Sequence, residues 1–415
     1  MRALLSHRDA RIYLAGQSLS LFGDNALWLA MAIWVKILTG SNSAAGLTFF
    51  AYMFGSLLAP FFGLLADRVR RRPLLVVANL SSAVLVCALL PAHSRGWLWL
   101  IYLVMFFYGA LGGLLMAAQS ALLATMLPED MLGEANSLLV MAEVGVRAIT
   151  PLVGAGLLAW LGPRPVILLD AGTFAAAGLS LLALRLREPR PVPVPGRWQT
   201  EFTAGIRHIG QTRTLRRLLI SGIGALLVFG FFQVVPFAVV GEGLHRPPAF
   251  LGVLEAVLGV GAVTGGVVAA PVMRRTSERG LVIGGLIACG AACLLLMVNW
   301  LPVVLAAMAL VGVCIVWVNV AVYTLIQRRT PNELIGRVDA ALSTAMMVPQ
   351  AVSIALGAVL IAVLNYRLLL VIMAVVFVLS AAVMTGRDGW EAEQDQAVPV
   401  TVGLADAERA TSEAD

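Results

Sequence analysis

The stretch Gly63-Leu64-Leu65-Ala66-Asp67-Arg68-Val69-Arg70-Arg71-Arg72-Pro73 lies between two long apolar runs, at about 43–66 and 74–92. A connection this short that carries a carboxylate and four arginines cannot lie in hydrocarbon, because charged side chains are costly there. It therefore lies at a membrane face, and its arginines mark that face as the cytoplasmic one.

The composition of the whole chain agrees with a membrane protein. Of its 415 residues, 60% are hydrophobic and 13% are charged, whereas soluble domains carry about 25% charged residues. The formal net charge of +6 is small and spread over the connections, which indicates a bilayer surface and not a nucleic-acid partner. The four cysteines fall inside apolar runs, and we interpret them as packing residues.

The chain contains twelve apolar runs of roughly the length that a membrane-spanning helix needs. The fold class is therefore predicted as an all-α membrane protein with twelve transmembrane helices. The predicted spans are about 12–38, 43–66, 74–92, 97–125, 134–160, 165–184, 216–240, 249–272, 280–299, 301–327, 337–364 and 366–386.

The arginines indicate how these helices are oriented. If the N-terminus is inside, the inner connections hold most of the basic residues, including the cluster at 68–72. The outer connections then hold only Lys36, Arg95, Arg164, Arg246 and Arg367. Because basic residues concentrate in cytoplasmic loops, we expect both termini to be cytoplasmic. The expected location of this multi-pass protein is the bacterial inner membrane.

Between the sixth and seventh runs the chain changes character. Four prolines within 187–195 forbid a helix. Trp198, Phe202, Ile206 and Ile209 then recur at helical spacing, as in an amphipathic helix on the membrane surface. The predicted domains are an N-terminal six-helix half at 1–186, a cytoplasmic linker at 187–214, a C-terminal six-helix half at 215–386 and a disordered cytoplasmic tail at 387–415.

The two halves repeat each other in sequence. An offset of 203 residues aligns Gly63-Leu64-Leu65-Ala66 with Gly266-Val267-Val268-Ala269, and 128–133 with 331–336. Two separated connections that agree on one offset indicate an internal duplication. Asp67 has no acidic counterpart in the second half, because Ala270 stands in its place.

The duplication, the central linker and the stretch 63–73 together resemble those of the major facilitator superfamily. In that family the connection between helices 2 and 3 carries the signature G-x-x-x-D-R-x-G-R-R. The matching residues here are Gly63, Asp67, Arg68, Arg71 and Arg72, with Arg70 in place of the second glycine. The resemblance covers essentially residues 10–386, and it implies two six-helix bundles around a site near the membrane midplane.

The resemblance also implies a cytoplasmic gate. Asp67 would face the start of helix 11, near Gly336, and a carboxylate at a helix N-terminus gains about 0.3–1 kcal/mol from the helix dipole. Arg68, Arg71 and Arg72 would complete this latch. The alternative is that the whole stretch only marks topology.

Charged residues at membrane depth are candidates for proton coupling, since they are costly in lipid. Asp24 lies deep in helix 1, and its alternative role is a polar contact with Asn25 or the wall of a water-filled cavity. Glu143 and Arg147 are four residues apart in helix 5 and can pair. That pair either is structural or is broken and remade during transport. Glu255 is a weaker candidate, and we expect Asp170 to lie close to the outer surface.

Helix 5 carries Gly145, Pro151 and Gly154, with Thr150 and Ala155 beside them. This resembles the antiporter signature of the superfamily, Gly-Pro-x-x-Gly-Gly, although Thr150 and Ala155 replace two of its glycines. Such residues allow a bend and close helix approach. The resemblance favours export over import, and a kinked packing helix is the alternative.

The stretch 17–24, the triplet 39–41 and the stretch 133–138 resemble the twelve-helix macrolide and siderophore exporter branch of the superfamily. Helices 1, 4, 7 and 10 line the cavity in this fold, and aromatic and Met side chains suit bulky apolar ligands. Simple packing is the alternative for each residue. The candidate substrate contacts are Trp28, Met31, Tyr108, Gln119, Phe232, Gln233, Trp317 and Asn319.

The sequence thus predicts a secondary active transporter that exports drug-like or natural-product small molecules by alternating access, with roles in multidrug efflux and antibiotic resistance. It would be a monomer in the lipid bilayer. Its partners would be a small-molecule substrate and protons, and it would bind no nucleic acid. It would need no cofactor, with the proton gradient as its energy source. The alternatives are a siderophore or metabolite exporter and, from a different class, a non-transporting scaffold or sensor. An enzyme is disfavoured, because no P-loop, nucleophile motif or metal-spaced Cys/His set occurs.

Overall fold

A computed structural model of the chain describes residues 8–66, 68–127, 129–186, 188, 206–331 and 334–385. Throughout these ranges the chain forms helices and their connections, and no strand occurs in them. The helices, in chain order, are α1 (Arg8–Thr39), α2a (Asn42–Ser56), α2b (Ala59–Ala66), α3 (Arg71–Cys87), α4 (Leu98–Met126), α5 (Glu129–Leu161), α6 (Pro163–Leu182), α7 (Arg213–Phe229), α8 (Leu251–Thr276), α9 (Glu278–Leu295), α10 (Leu301–Arg329), α11 (Ile335–Val363) and α12 (Tyr366–Thr385).

Counting α2a and α2b as one interrupted helix, the described ranges hold the twelve predicted helices in the predicted order. Ten helical segments there are long and apolar enough to cross a membrane. The second predicted span is interrupted by a turn at residues 57–58, and α3 ends at Cys87, where turns continue to residue 91. The all-α membrane fold is confirmed, although these two helices differ from the uninterrupted spans that the hydropathy predicts.

The seventh helix also departs from a single regular span. After α7 the chain forms a 3₁₀ turn at Gly230–Gln233, a short helix at Val235–Ala238 and a π turn at Val239–Gly243. The Gly230 amide donates a hydrogen bond of 3.0 Å to the Ser353 hydroxyl on α11. Pro236 has no amide hydrogen to give. Gly230 and Pro236 therefore interrupt the regular pattern of helical hydrogen bonds in this segment.

Each half packs mainly on itself. In the N-terminal half α1 packs on α5 and α6, α3 on α4 and α6, and α2a on α4. In the C-terminal half α10 packs on α8 and α9, and α12 on α7 and α9. The halves meet through α5 with α8 and through α2a with α11. A shift of 203 residues along the chain converts the contact of α5 with α8 into the contact of α11 with α2a, which agrees with a duplicated fold.

The bundle has two distinct ends. We call the end that holds residues 68–72 and 274–275 the basic end, and the end that holds Gly40 and Gly162 the opposite end. Gly162 has a φ of 78°, a left-handed conformation that favours glycine, and it joins α5 to α6 in a tight turn. Gly40, with a φ of 73°, does the same between α1 and α2a.

The contact between α5 and α8 closes near the opposite end and opens toward the basic end. A Cβ on Gly252 would lie 2.6 Å from the Ala155 Cβ, and a Cβ on Gly259 would lie 2.7 Å from the Ala148 Cα. Farther along the same face of α5, a Cβ on Gly145 would meet nothing within 4 Å, and Met141 is 65% exposed. The two halves therefore diverge toward the basic end.

Parts of the predicted linker and tail lie outside the described residues. These are residue 187, residues 189–205, which include Trp198 and Phe202, and residues 386–415. Within the linker, residues 206–211 are helical, with Ile209 buried and Ile206 exposed. The His208 ring lies 3.4 Å from the Arg329 carbonyl oxygen, so this short helix lies against the basic end of α10.

Candidate functional site

Two carboxyl groups and a tyrosine hydroxyl meet inside the N-terminal half. Tyr108 on α4 places its Oη 2.7 Å from Asp24 Oδ1 on α1 and 3.2 Å from Asp170 Oδ2 on α6. Asp170 is completely buried, whereas Asp24 is partly exposed. Asp170 Oδ1 has no hydrogen-bond partner among the described residues. We call these three residues the carboxyl cluster.

Close helix packing holds the carboxyl cluster in place. A Cβ on Gly23 would lie 2.7 Å from Asp170 Oδ1, so only glycine lets α1 approach α6 this closely. The Tyr108 ring lies between Tyr52 and Phe174, with ring centroids 5.9 Å and 5.8 Å away. The ring contacts orient the Tyr108 hydroxyl toward both carboxyls.

The position of Asp170 corrects the sequence analysis. We expected this residue close to the outer surface, but it lies about 10 Å along α6 from Pro163. Its side chain points toward α1 and α4 instead of reaching the membrane surface. Helical periodicity alone did not show that this face of α6 is the one that packs against Asp24.

A second group of charges lies between the halves. Arg147 Nη2 is 3.0 Å from Glu143 Oε1, and their side chains are 66% and 42% exposed. Each lies far from both ends of α5, so contact with lipid would be costly, and we infer that the pair faces water. Arg147 also interacts electrostatically with Tyr52 on α2a and with Glu255 on α8. The guanidinium is therefore directed toward the space between the two halves.

Two arginines of the opening stretch bind the end of α6 and the linker residue that follows it. The Glu188 carboxylate accepts hydrogen bonds from the amides of Arg71 and Arg72, at 2.7 Å and 3.1 Å, and so satisfies the start of α3. The Arg72 side chain donates to the carbonyl oxygens of Leu181 and Leu182 at the end of α6. Glu188 was missed in the sequence, because it lies far along the chain in a proline-rich segment.

The remaining members of the predicted gate are Gly63, Asp67 and Arg68. Arg68 is exposed in the turn that follows α2b, and a Cβ on Gly63 would meet nothing within 4 Å. Asp67 lies outside the described residues.

The helix 5 residues differ in their packing. A Cβ on Gly154 would lie 2.3 Å from the Ala26 carbonyl oxygen, so α5 and α1 are in backbone contact there. Pro151 is buried, and its carbonyl oxygen would lie 2.8 Å from a Cβ on Gly252. Gly145 borders open space. Gly154 and Pro151 thus lie where α5 meets α1 and α8.

The predicted substrate contacts lie in different surroundings. Met31 and Phe232 are buried in helix packing and do not border an open space in this conformation. Tyr108 belongs to the carboxyl cluster. Trp28 is partly buried, and its ring centroid lies 4.6 Å from that of Phe49. The Gln119 side chain donates a hydrogen bond of 3.0 Å to Gln17, and Trp317 donates one of 3.2 Å to the Gly265 carbonyl oxygen. Gln233 is partly buried and Asn319 is exposed.

No group of three or more His, Cys, Asp or Glu side chains is placed to hold a metal ion within the described ranges.

Sequence comparison identifies the family. The sequence profile described as Major Facilitator Superfamily matches residues 13–354. The chain belongs to the major facilitator superfamily. It is therefore a multi-pass membrane transporter and not an enzyme.

Curated relatives of this transporter include named exporters. The enterobactin exporter EntS of Shigella flexneri is 26% identical over 351 residues, which are 81% of each chain. The multidrug resistance protein MdtG of Enterobacter lignolyticus is 32% identical over 146 residues, 35% of this chain and 34% of MdtG.

Solved structures share the fold. A bacterial homologue of the iron transporter ferroportin in an inward-facing state has a TM-score of 0.70 at 16% identity, over 90% of this chain and 98% of its own. The POT family transporter PepTSo has a TM-score of 0.72 at 11% identity, over 91% and 97% of the two chains.

Proposed function

We propose that this transporter exports a drug-like or natural-product small molecule across the bacterial plasma membrane in exchange for protons. It works as a monomer by alternating access, and the proton gradient is its energy source. The observation that carries the proposal is the carboxyl cluster in the N-terminal half together with the exposed Glu143–Arg147 pair between the halves.

Charges buried at membrane depth support proton coupling. Keeping Asp24 and Asp170 inside a helix bundle costs free energy, and ionisable groups of this kind mark ion pathways. Glu143 and Arg147 border the space between the halves, where an opening cavity exposes them to water. The Glu143–Arg147 pair therefore lies where a change of conformation alters its surroundings.

The basic residues support the proposed orientation. If the basic end is cytoplasmic, both termini are cytoplasmic. The divergence of α5 and α8 toward the basic end then corresponds to a conformation open to the cytoplasm. An exporter loads its substrate in this conformation. In the proposed gate, Asp67, Arg68, Arg71 and Arg72 close this side after loading.

The names of the relatives support export, and they favour two substrate classes. EntS is named as an enterobactin exporter and MdtG as a multidrug resistance protein. A siderophore or metabolite exporter is the alternative that the match to EntS favours, since that match spans most of the chain. Trp28, Gln233 and Asn319, which are not fully buried, remain proposed substrate contacts.

The test uses inverted vesicles with an imposed proton gradient and a panel of cationic drugs, neutral drugs and catecholate siderophores. Wild type is compared with Asp24→Asn, Glu143→Gln and Asp67→Asn. Glu278→Gln serves as a control, because this carboxylate pairs with Arg328 at the basic end of the C-terminal half. We expect substrate-triggered proton release in wild type and the control, and its loss in Asp24→Asn or Glu143→Gln.

Two results would contradict the proposal. Flux that does not depend on the gradient and is unchanged in Asp24→Asn and Glu143→Gln would leave a facilitator without proton coupling. No flux of any compound would favour the non-transporting scaffold or sensor.

A further inference from the structure

The Tyr108 hydroxyl contacts two carboxyl groups but carries a single hydrogen. Its Oη is 2.7 Å from Asp24 Oδ1, a usual O–H···O hydrogen-bond length, and 3.2 Å from Asp170 Oδ2, which is a longer and weaker contact. A phenol hydroxyl donates one hydrogen bond and can also accept, whereas an ionised carboxylate only accepts. The phenol hydrogen can be donated fully to only one carboxyl, so a second full hydrogen bond requires that the other carboxyl is protonated and donates to Oη.

The geometry distinguishes the two carboxyls. The shorter contact, to Asp24, has the length of a bond from a hydroxyl to an ionised carboxylate, which is about 2.5–2.7 Å. The contact to Asp170 is 0.5 Å longer and therefore lacks the length of a bond to an ionised carboxylate. Asp24 is partly exposed, whereas Asp170 is completely buried and makes no ion pair among the described residues. An ionised Asp170 would lack the partners that a buried charge requires.

We propose that Asp170 is the protonated member of this pair and passes its proton through the Tyr108 hydroxyl to Asp24. In the transfer the Asp170 O–H bond breaks as Tyr108 Oη takes up that proton. The Tyr108 O–H bond breaks at the same time, and Asp24 gains its proton. Negative charge moves from Asp24 to Asp170, and no further reactant is needed. The inference rests on the proposed proton exchange and assigns the residue that stores the proton.

The groups around the cluster fit a relay that opens toward the space between the halves. On α2a, the Tyr52 ring contacts the Tyr108 ring in a tilted arrangement, and Tyr52 interacts electrostatically with Asp24 and with Arg147 on α5. α3 lies on the far side of α6 from the carboxyl cluster. Its Arg71 and Arg72 are bound to other groups at the basic end. Among the described residues, Arg147 is thus a cation that interacts with Tyr52 beside this route, and it acts on the Asp24 side.

The first measurement is infrared spectroscopy of the purified full chain in lipid at neutral pH, without substrate. We expect a C=O band of a protonated carboxyl in wild type and its loss in Asp170→Asn. The same band is retained in Asp24→Asn. A band that persists unchanged in Asp170→Asn, or that disappears only in Asp24→Asn, would overturn the assignment.

The second measurement tests the relay with a substitution that preserves shape. Tyr108→Phe removes the hydroxyl alone. Its matched control is Tyr102→Phe on the same helix, because the Tyr102 hydroxyl donates a hydrogen bond of 3.0 Å to the Ala44 carbonyl oxygen. We expect substrate-triggered proton release to slow by about ten- to a hundredfold in Tyr108→Phe, as for the loss of a hydrogen bond to a charged group. It is unchanged in Tyr102→Phe. Equal rates in the two variants would overturn the relay.

These results separate the inference from the function on which it rests. An Asp170-dependent infrared band without proton release in any vesicle assay would support the protonated Asp170 and contradict proton-coupled export. Flux driven by a sodium gradient at constant pH, with the band absent, would overturn the proton assignment in favour of a bound sodium ion.

Discussion

Asn42, at the start of α2a, donates a hydrogen bond of 3.0 Å to the Glu242 carboxylate in the turn that follows α7. The two residues belong to different halves, and they meet at the opposite end of the bundle. Nearby, the Phe49 and Phe237 rings also join the halves, with centroids 6.3 Å apart. In a conformation open toward the basic end, these contacts hold the opposite end closed, and they must break when the transporter turns over.

Asn42→Ala is expected to favour opening of that end. Removing one exposed hydrogen bond shifts the balance between closed and open forms by about 0.5–1.5 kcal/mol, which is roughly two- to tenfold in population. The measurement is the distance distribution between spin labels at His93 and Arg246, in a chain lacking Cys87. Asn299→Ala is the matched control, because Asn299 bonds Tyr366 within one half at the same end. An equal shift in the control would contradict a gating role.

Glu188→Ala is expected to destabilise the N-terminal half. The carboxylate is 4% exposed and holds two amides at the start of α3, so its loss should cost about 1–2 kcal/mol. Thermal unfolding in detergent measures the effect. Arg70→Ala is the control, since Arg70 precedes α3 without capping it by its side chain. Unchanged stability in Glu188→Ala would refute the capping role.

Gly154→Ala and Gly145→Ala should have opposite effects although both lie on α5. The new methyl at 154 would lie 2.3 Å from the Ala26 carbonyl oxygen, and such overpacking costs about 1–3 kcal/mol. The methyl at 145 meets nothing within 4 Å, and alanine favours a helix over glycine by about 0.5–1 kcal/mol. Thermal unfolding and vesicle transport report both effects. Similar losses in both variants would show that the signature matters for a reason other than contact with α1.

Arg147→Gln should affect transport more than stability. Exposed ion pairs contribute at most about 1 kcal/mol, so the melting temperature should change little. Proton release should be lost, because Glu143 and Glu255 then lose the cation with which both interact, and Arg147→Lys should restore it in part. The control is Arg328→Gln, whose side chain is equally exposed and pairs with Glu278 outside the space between the halves. Loss of proton release in the control as well would argue against a specific role.

Hydropathy and the 203-residue repeat were sufficient to predict twelve helices in two halves. The prediction worked because a membrane-spanning helix must satisfy its own backbone hydrogen bonds and so needs a long apolar run. The interruption of the second helix at residues 57–58 was not predicted, since every residue there is apolar and compatible with a continuous span.

The site was only partly predictable. Asp24, Glu143 and Arg147 could be selected from the sequence, because a charge at membrane depth is conspicuous in a single helix. Asp170 and Glu188 could not be assigned, since their partners Tyr108 and Arg71 are separated from them by many residues along the chain. Burial of Met31 and Phe232 was missed for the same reason.

The sequence by itself determined which segments enter the membrane, how the two halves repeat and which charges lie at depth, because these depend on local composition. Only the tertiary structure decided that Asp24 and Asp170 share one tyrosine hydroxyl and that Arg147 is directed between the halves. Those relationships depend on the rotation of each helix about its axis. Close packing at residues such as Gly23 and Gly154 fixes that rotation, and no single helix encodes it.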